Sequence, residues 1–152
     1  MEKYDIQEVA KWILSKEELI NHKRLQKYLY LFYGNYLVIK NSSVNELKIE
    51  LFHNDFEGWI AGIISPTIYE LYKNSGYKPL SIYYNYTAVI SRNDEIILNK
   101  IYTKYKNYTT DELEKISQVQ IPWVNSRRGL ATYEIGNKRI NEVDIYNCFN
   151  GK

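Results

Sequence analysis

The sequence predicts a mainly α fold of the α+β class: one compact helical domain over residues 1–152, arranged around a long central helix, with a minor short-strand element. Three observations carry this expectation. The run Arg24 to Gly34 is apolar almost all the way round a helix, several flanking segments repeat apolar residues at helical spacing behind capping residues, and period-two alternation is confined to one stretch.

In chain order, Ile6, Val9, Ala10, Ile13 and Leu14 form one apolar stripe, predicting a first helix over 6–14. Asp5 stands at its N-cap, and Glu8 completes the spacing of a capping box. Ser15 to Ile20 reads as a linker or extra turn. Asn21 then caps the central helix, which is expected to run to about Ile39. On it Leu25, Leu29, Phe32 and Tyr36 share a stripe that Tyr28, Leu31 and Tyr33 widen. A helix with so little polar surface belongs at the centre of a domain, packed on several sides. Gly34 interrupts it at a cost of about 1 kcal/mol relative to alanine, which points to close approach by another element.

Beyond Asn41 the pattern changes. Lys48–Phe52 alternates and Phe56–Ile60 follows a polar break, predicting short strands or an irregular β-like excursion. Ser65-Pro66 is an N-cap followed by proline at the first helical position, opening a helix through Lys73 that Gly76 closes. The tyrosines and β-branched residues of Ser81 to Ile90 favour a strand, with a loop or helix as the alternative. Asn93 to Tyr105 aligns Ile97, Ile101 and Tyr105 on a helix. Thr109 and Glu112 make a capping box for another helix to about Ser117. Gly136-Asn137 sits between apolar flanks over 132–140, as in a hairpin-like turn, and Asn141 to Phe149 reads as a short terminal helix.

Composition narrows the function classes. Apolar residues make up 45% and charged residues 25%, and the net charge is +2, too small a surplus to indicate a polyanion partner. The single cysteine, Cys148, excludes an internal disulfide and a cysteine-rich zinc site, and it suits a reducing compartment. No signal-peptide run follows the N-terminus and no segment is long enough to span a bilayer, so a soluble cytoplasmic protein is expected. Sixteen tyrosines are more than a core of this size needs, and exposed tyrosine is efficient contact material.

Catalytic patterns are weak. His53, Asp55 and Glu57 alternate as part of a facial metal triad would, but the only other histidine, His22, lies beside Lys23 and Arg24. No phosphate-cradling glycine loop is present, and neither histidine is tied to a serine or cysteine by a local signature. No catalytic residue, metal or cofactor is therefore assigned. Basic residues interleaved with tyrosine at Lys23–Lys27 and Lys100–Lys106, with Arg127-Arg128, offer a weak case for nucleic acid.

Taken in order, the segments resemble the Panacea domain, the SocA-like antitoxin family also known as a phage-associated protein. The resemblance rests on Asp5-Ile6 through Leu14-Ser15, on Leu25-Gln26-Lys27-Tyr28-Leu29-Tyr30 with Tyr33-Gly34-Asn35-Tyr36, on Phe56-Glu57-Gly58-Trp59, Gly62-Ile63-Ile64-Ser65-Pro66 and Ile68-Tyr69, and on Tyr105–Thr109, Glu112-Leu113 and Pro122-Trp123. Two departures stand out: the family's Gly-Pro-Val is Gly62-Ile63-Ile64, and its histidine before Pro-Trp is replaced in Ser117-Gln118.

The resemblance implies a non-enzymatic antitoxin that neutralises a toxin by direct protein contact, in some members as an adaptor to a protease. An inhibitor of a host defence nuclease complex, carried by a phage or mobile element, is the alternative, and a nucleic-acid-binding regulator the second. Leu25, Leu29, Phe32, Gly34, Pro66 and Trp123 are expected to be structural. Gln26, Lys27, Tyr30, Tyr33, Trp59, Tyr69, Arg127 and Arg128 are the expected partner-contact residues. The polar strip Gln26-Lys27-Tyr30 must face water, a partner or a buried network.

Overall fold

The computed structural model describes residues 3–80, 89–118 and 120–151. Seven α-helices and one two-stranded antiparallel sheet occur among them: α1 (Ile6–Leu14), α2 (His22–Lys40), β1 (Glu57–Trp59), β2 (Gly62–Ile64), α3 (Pro66–Tyr72), α4 (Arg92–Tyr105), α5 (Thr110–Gln118), α6 (Ile121–Ser126) and α7 (Glu142–Asn150). The mainly α architecture with a small β element follows the sequence expectation.

Helix α2 is the hub. Asn21 caps it by accepting from the Arg24 amide, and thirteen of its nineteen residues are buried. Helices α1, α3, α4, α5 and α7 and strand β2 all pack on it. That wraparound contact is what an almost wholly apolar helix requires, because no face can be left to water without losing about 25 cal/mol for each Å² of apolar surface exposed. Leu25, Leu29 and Phe32 are core residues. Gly34 faces α7, and the Phe149 ring occupies the space a side chain at that position would need.

The predicted caps mostly form. Ser65 accepts from the Ile68 amide with Pro66 in the first turn of α3, and the chain continues through a 3₁₀ turn, Lys73–Ser75, to Gly76. Thr109 and Glu112 exchange both capping-box bonds at 3.1 and 2.9 Å. At α1 the box is incomplete: Asp5 accepts from the Gln7 amide, while Glu8 turns to Lys11 at 3.3 Å.

Two expectations are corrected. Lys48–Phe52 forms no strand, because the Asn41 side chain takes the amides of Lys48 and Ile49 and the carbonyl of Ile49; only Phe52 makes an isolated bridge, to Tyr4. Residues 132–140 form no hairpin, because the buried Arg127 side chain claims the carbonyls of the first half and β1 captures the second. Helix α6 is an element the sequence reading did not separate. The strand, loop or helix expected over Ser81 to Ile90 falls mostly on residues 81–88, which lie outside the described residues.

Candidate functional site

The residues expected to contact a partner divide sharply by position. Gln26, Lys27, Tyr30 and Tyr33 are buried in α2, so their assignment to a contact surface is corrected: of the three roles open to the polar strip, the structure realises the buried network. The Gln26 amide donates to the Ser65 carbonyl at 3.0 Å and accepts the Ser65 amide at 2.9 Å. This paired bond fixes the last residue before α3, where no strand partner is present to do so. Tyr30 donates to the Gln120 side chain at 2.7 Å, and Tyr33 to Glu50 at 2.5 Å. Burial, followed by the hydrogen bond to Glu50 and the charge of that carboxylate, raises the Tyr33 phenol well above its ordinary value.

Arg24, also buried, closes a second network. It donates to Glu17 at 3.0 Å, to the Tyr28 hydroxyl at 2.6 Å, and to the carbonyls of Tyr108 and Lys106 at 2.8 and 3.2 Å. Tyr28 and Tyr102 both donate to Glu17. Burial alone would raise the Glu17 carboxyl, but hydrogen bonds from Tyr28, Arg24 and Tyr102, with the Arg24 charge, hold it below its usual range. The network ties the turn between α4 and α5 to α2. The Lys23–Lys27 cluster is therefore no basic face: Arg24 and Lys27 are internal, and Lys23 pairs with Glu114 at 2.9 Å.

Arg127 is buried as well, and its role is structural support. Its guanidinium donates to the carbonyls of Gly58 at 3.1 Å, Ala131 at 3.3 Å and Glu134 at 2.6 Å, and more distantly to Thr132. Five planar donors allow one arginine to hold four backbone groups where no ladder exists. Directly after this loop, Lys138 and Ile140 run beside β1 through bonds from the Gly58 amide to the Lys138 carbonyl at 3.2 Å and from the Ile140 amide to the Phe56 carbonyl at 2.8 Å. Gly136 permits the approach, since a Cβ there would lie 2.7 Å from the Gly58 carbonyl and 2.8 Å from the Arg127 guanidinium.

What the loop and hairpin enclose is an apolar groove of about 320 Å³, lined by Glu57, Trp59, Ile60, Ala61, Ile135, Gly136 and Asn137. Two of its aliphatic walls are bare: Ile135 is 89% exposed and Ile60 46%. Trp59 is fixed on three sides. Its Nε1–H donates to Glu57 at 2.9 Å, its carbonyl accepts from Trp123 Nε1 at 2.9 Å, and its ring meets the exposed Tyr69 edge-on with centroids 4.9 Å apart. Tyr69 in turn stacks against half-buried His22, whose proton affinity burial lowers. Of the expected contact residues, Trp59 and Tyr69 thus share one face. Arg127 lies beneath it, and exposed Arg128 bonds to Asn125 at 2.9 Å.

Ile60 and Ile135 were missed by sequence reasoning. Their only signal was apolar residues in segments rich in turn-forming neighbours. His53 is exposed, and the described residues hold no group of three or more side chains arranged to bind a metal ion. No helix among them is long and apolar enough to cross a membrane.

Comparison with known proteins returns no match to a family model, a curated protein or a solved structure.

Proposed function

We propose that this chain is an antitoxin-type protein-binding domain, as its resemblance to the Panacea family implies, and that it neutralises its partner through the hairpin–loop face rather than through α2. The observation that supports the reading is the groove walled by Trp59, Ile60, Ala61 and Ile135. A rigid aromatic anchor beside exposed aliphatic side chains is the composition that carries binding energy at protein interfaces. Arg127, Trp123 and Glu57 hold its walls in place, so little ordering cost is left for the moment of binding.

The test is co-expression with the product of the neighbouring gene. Growth inhibition by that product alone, relief by this chain, and loss of relief in Ile135→Asp are expected. A neighbour that is harmless alone, or that stays toxic beside this chain, overturns the antitoxin reading.

A further inference from the structure

Lys27 is a buried side chain of the central helix that the Gln26–Ser65 and Arg24–Glu17 networks do not include. It is 2% exposed, and among the described residues its Nζ has one long bond, 3.4 Å, to the Ala61 carbonyl. An ammonium carries three donors, so among these residues a charged amine finds one carbonyl for its three. Ala61 belongs to the turn between β1 and β2, and the same residue lines the groove on its outer side. A buried amine and the groove wall therefore share one backbone unit.

We propose that Lys27 is a proton-linked latch on the hairpin turn: the neutral amine lets Ile60–Ala61 lie closed over α2, and the charged amine favours a lifted turn that admits water. The latch regulates the groove, and its importance for binding rests on the reading of that face given above; the latch itself belongs to the free chain.

The surrounding charges do not neutralise the amine. On α2 itself Lys23 adds positive charge, and His22, one turn away from Gln26, contacts Tyr69 and Tyr72. On α5, Glu114 is paired with Lys23 at 2.9 Å, and Asp111 reaches the same lysine at 4.0 Å. On β1, Glu57 accepts from the Trp59 indole. On α3, Glu70 pairs with Lys73 at 2.8 Å. Burial pushes the Lys27 amine down to about 8; Glu114 opposes the shift and Lys23 reinforces it. Once the turn lifts, the amine regains its ordinary affinity near 10.5, so opening is linked to proton uptake. The opening constant is then about tenfold larger at pH 7 than at pH 9.

Hydrogen exchange of the full chain between pH 7 and pH 9, by quench-flow and corrected for intrinsic rates, tests this. Amides of the Glu57–Ile64 hairpin are expected to be less protected than those of α2, with opening about tenfold more frequent at pH 7. Lys27→Met is expected to abolish the pH dependence and His22→Gln to retain it. Hairpin protection equal to that of α2, an opening independent of pH, or a dependence that survives Lys27→Met overturns the latch. No partner is present in this experiment, so its failure leaves the co-expression test untouched, and the reverse also holds.

Discussion

The Phe149 ring lies where a side chain on Gly34 would stand: a Cβ built on Gly34 falls 2.2 Å from the ring. The contact joins the middle of the central helix to the terminal one, and Tyr30 packs edge-on against the same ring at 5.5 Å. Gly34→Ala gains helix propensity, about 1 kcal/mol, but must displace an aromatic ring in a close-packed core. An overpacking penalty of about 1–3 kcal/mol exceeds that gain, leaving a net loss of up to about 2 kcal/mol. Urea denaturation reads the loss, and Phe149→Leu in the alanine background is expected to recover part of it. An alanine variant as stable as the parent would show that α7 does not dock where described.

Arg24 holds the turn after α4 through the carbonyls of Lys106 and Tyr108 while pairing with Glu17. Arg24→Met removes these partners together and leaves Glu17 with its tyrosine donors only. A loss of about 2–4 kcal/mol is expected, below the full cost of breaking a buried ion pair because Glu17 is partly wetted. The parent should also show an acid limb of defined sign. Glu17 has a lowered folded-state pKa, so its contribution is present above the unfolded value near 4.5 and is lost as pH falls through the folded one. In Glu17→Gln that limb is expected to shrink in a denaturation series from pH 6 to pH 3.

The helical core was legible because helix periodicity, caps and apolar runs are local signals: Asn21, Ser65 and Thr109 cap the helices they were expected to cap. The functional side was much less so. Gln26 and Lys27 look like surface residues by type, and only the packing of α2 on all sides puts them inside. The groove was illegible for the opposite reason. Ile60 and Ile135 are far apart in sequence and come together because Arg127 replaces a strand pairing with its own donors, an arrangement that has no periodic signature. The failed strand at Lys48–Phe52 has a related cause, since one asparagine side chain captures the backbone groups a ladder would need.

Lys27 also sets a direction for overall stability. Its folded-state affinity, about 8, lies below the unfolded 10.5. The protonated amine therefore costs the fold free energy below pH 8, and the cost disappears as pH rises from 8 to 10.5. Lys27→Met keeps the aliphatic stem and removes the charge. It is expected to be more stable than the parent at pH 7 by about 2–3 kcal/mol, allowing for relaxation around the amine. The two chains should converge above pH 10.5. Guanidinium titrations at pH 7 and pH 10.5 decide it, and a methionine variant that is less stable at pH 7 would mean that the Ala61 bond outweighs the desolvation.

Ile135 and Arg127 separate recognition from support on the same loop. Ile135 is largely in water, so Ile135→Asp should change folding stability by less than about 0.5 kcal/mol while abolishing relief of toxicity in co-expression. Arg127 meets four carbonyls from inside. Arg127→Met removes the guanidinium from all four, leaving the Ala131 carbonyl with the Glu134 amide, and should free the 131–137 loop, seen as faster limited proteolysis within it and a global loss of about 2–4 kcal/mol. Arg127→Lys is expected to behave almost like methionine, because a single ammonium cannot span the planar array. If Ile135→Asp unfolds the chain, or if Arg127→Lys keeps the loop as protected as in the parent, the division of labour between the two residues is wrong.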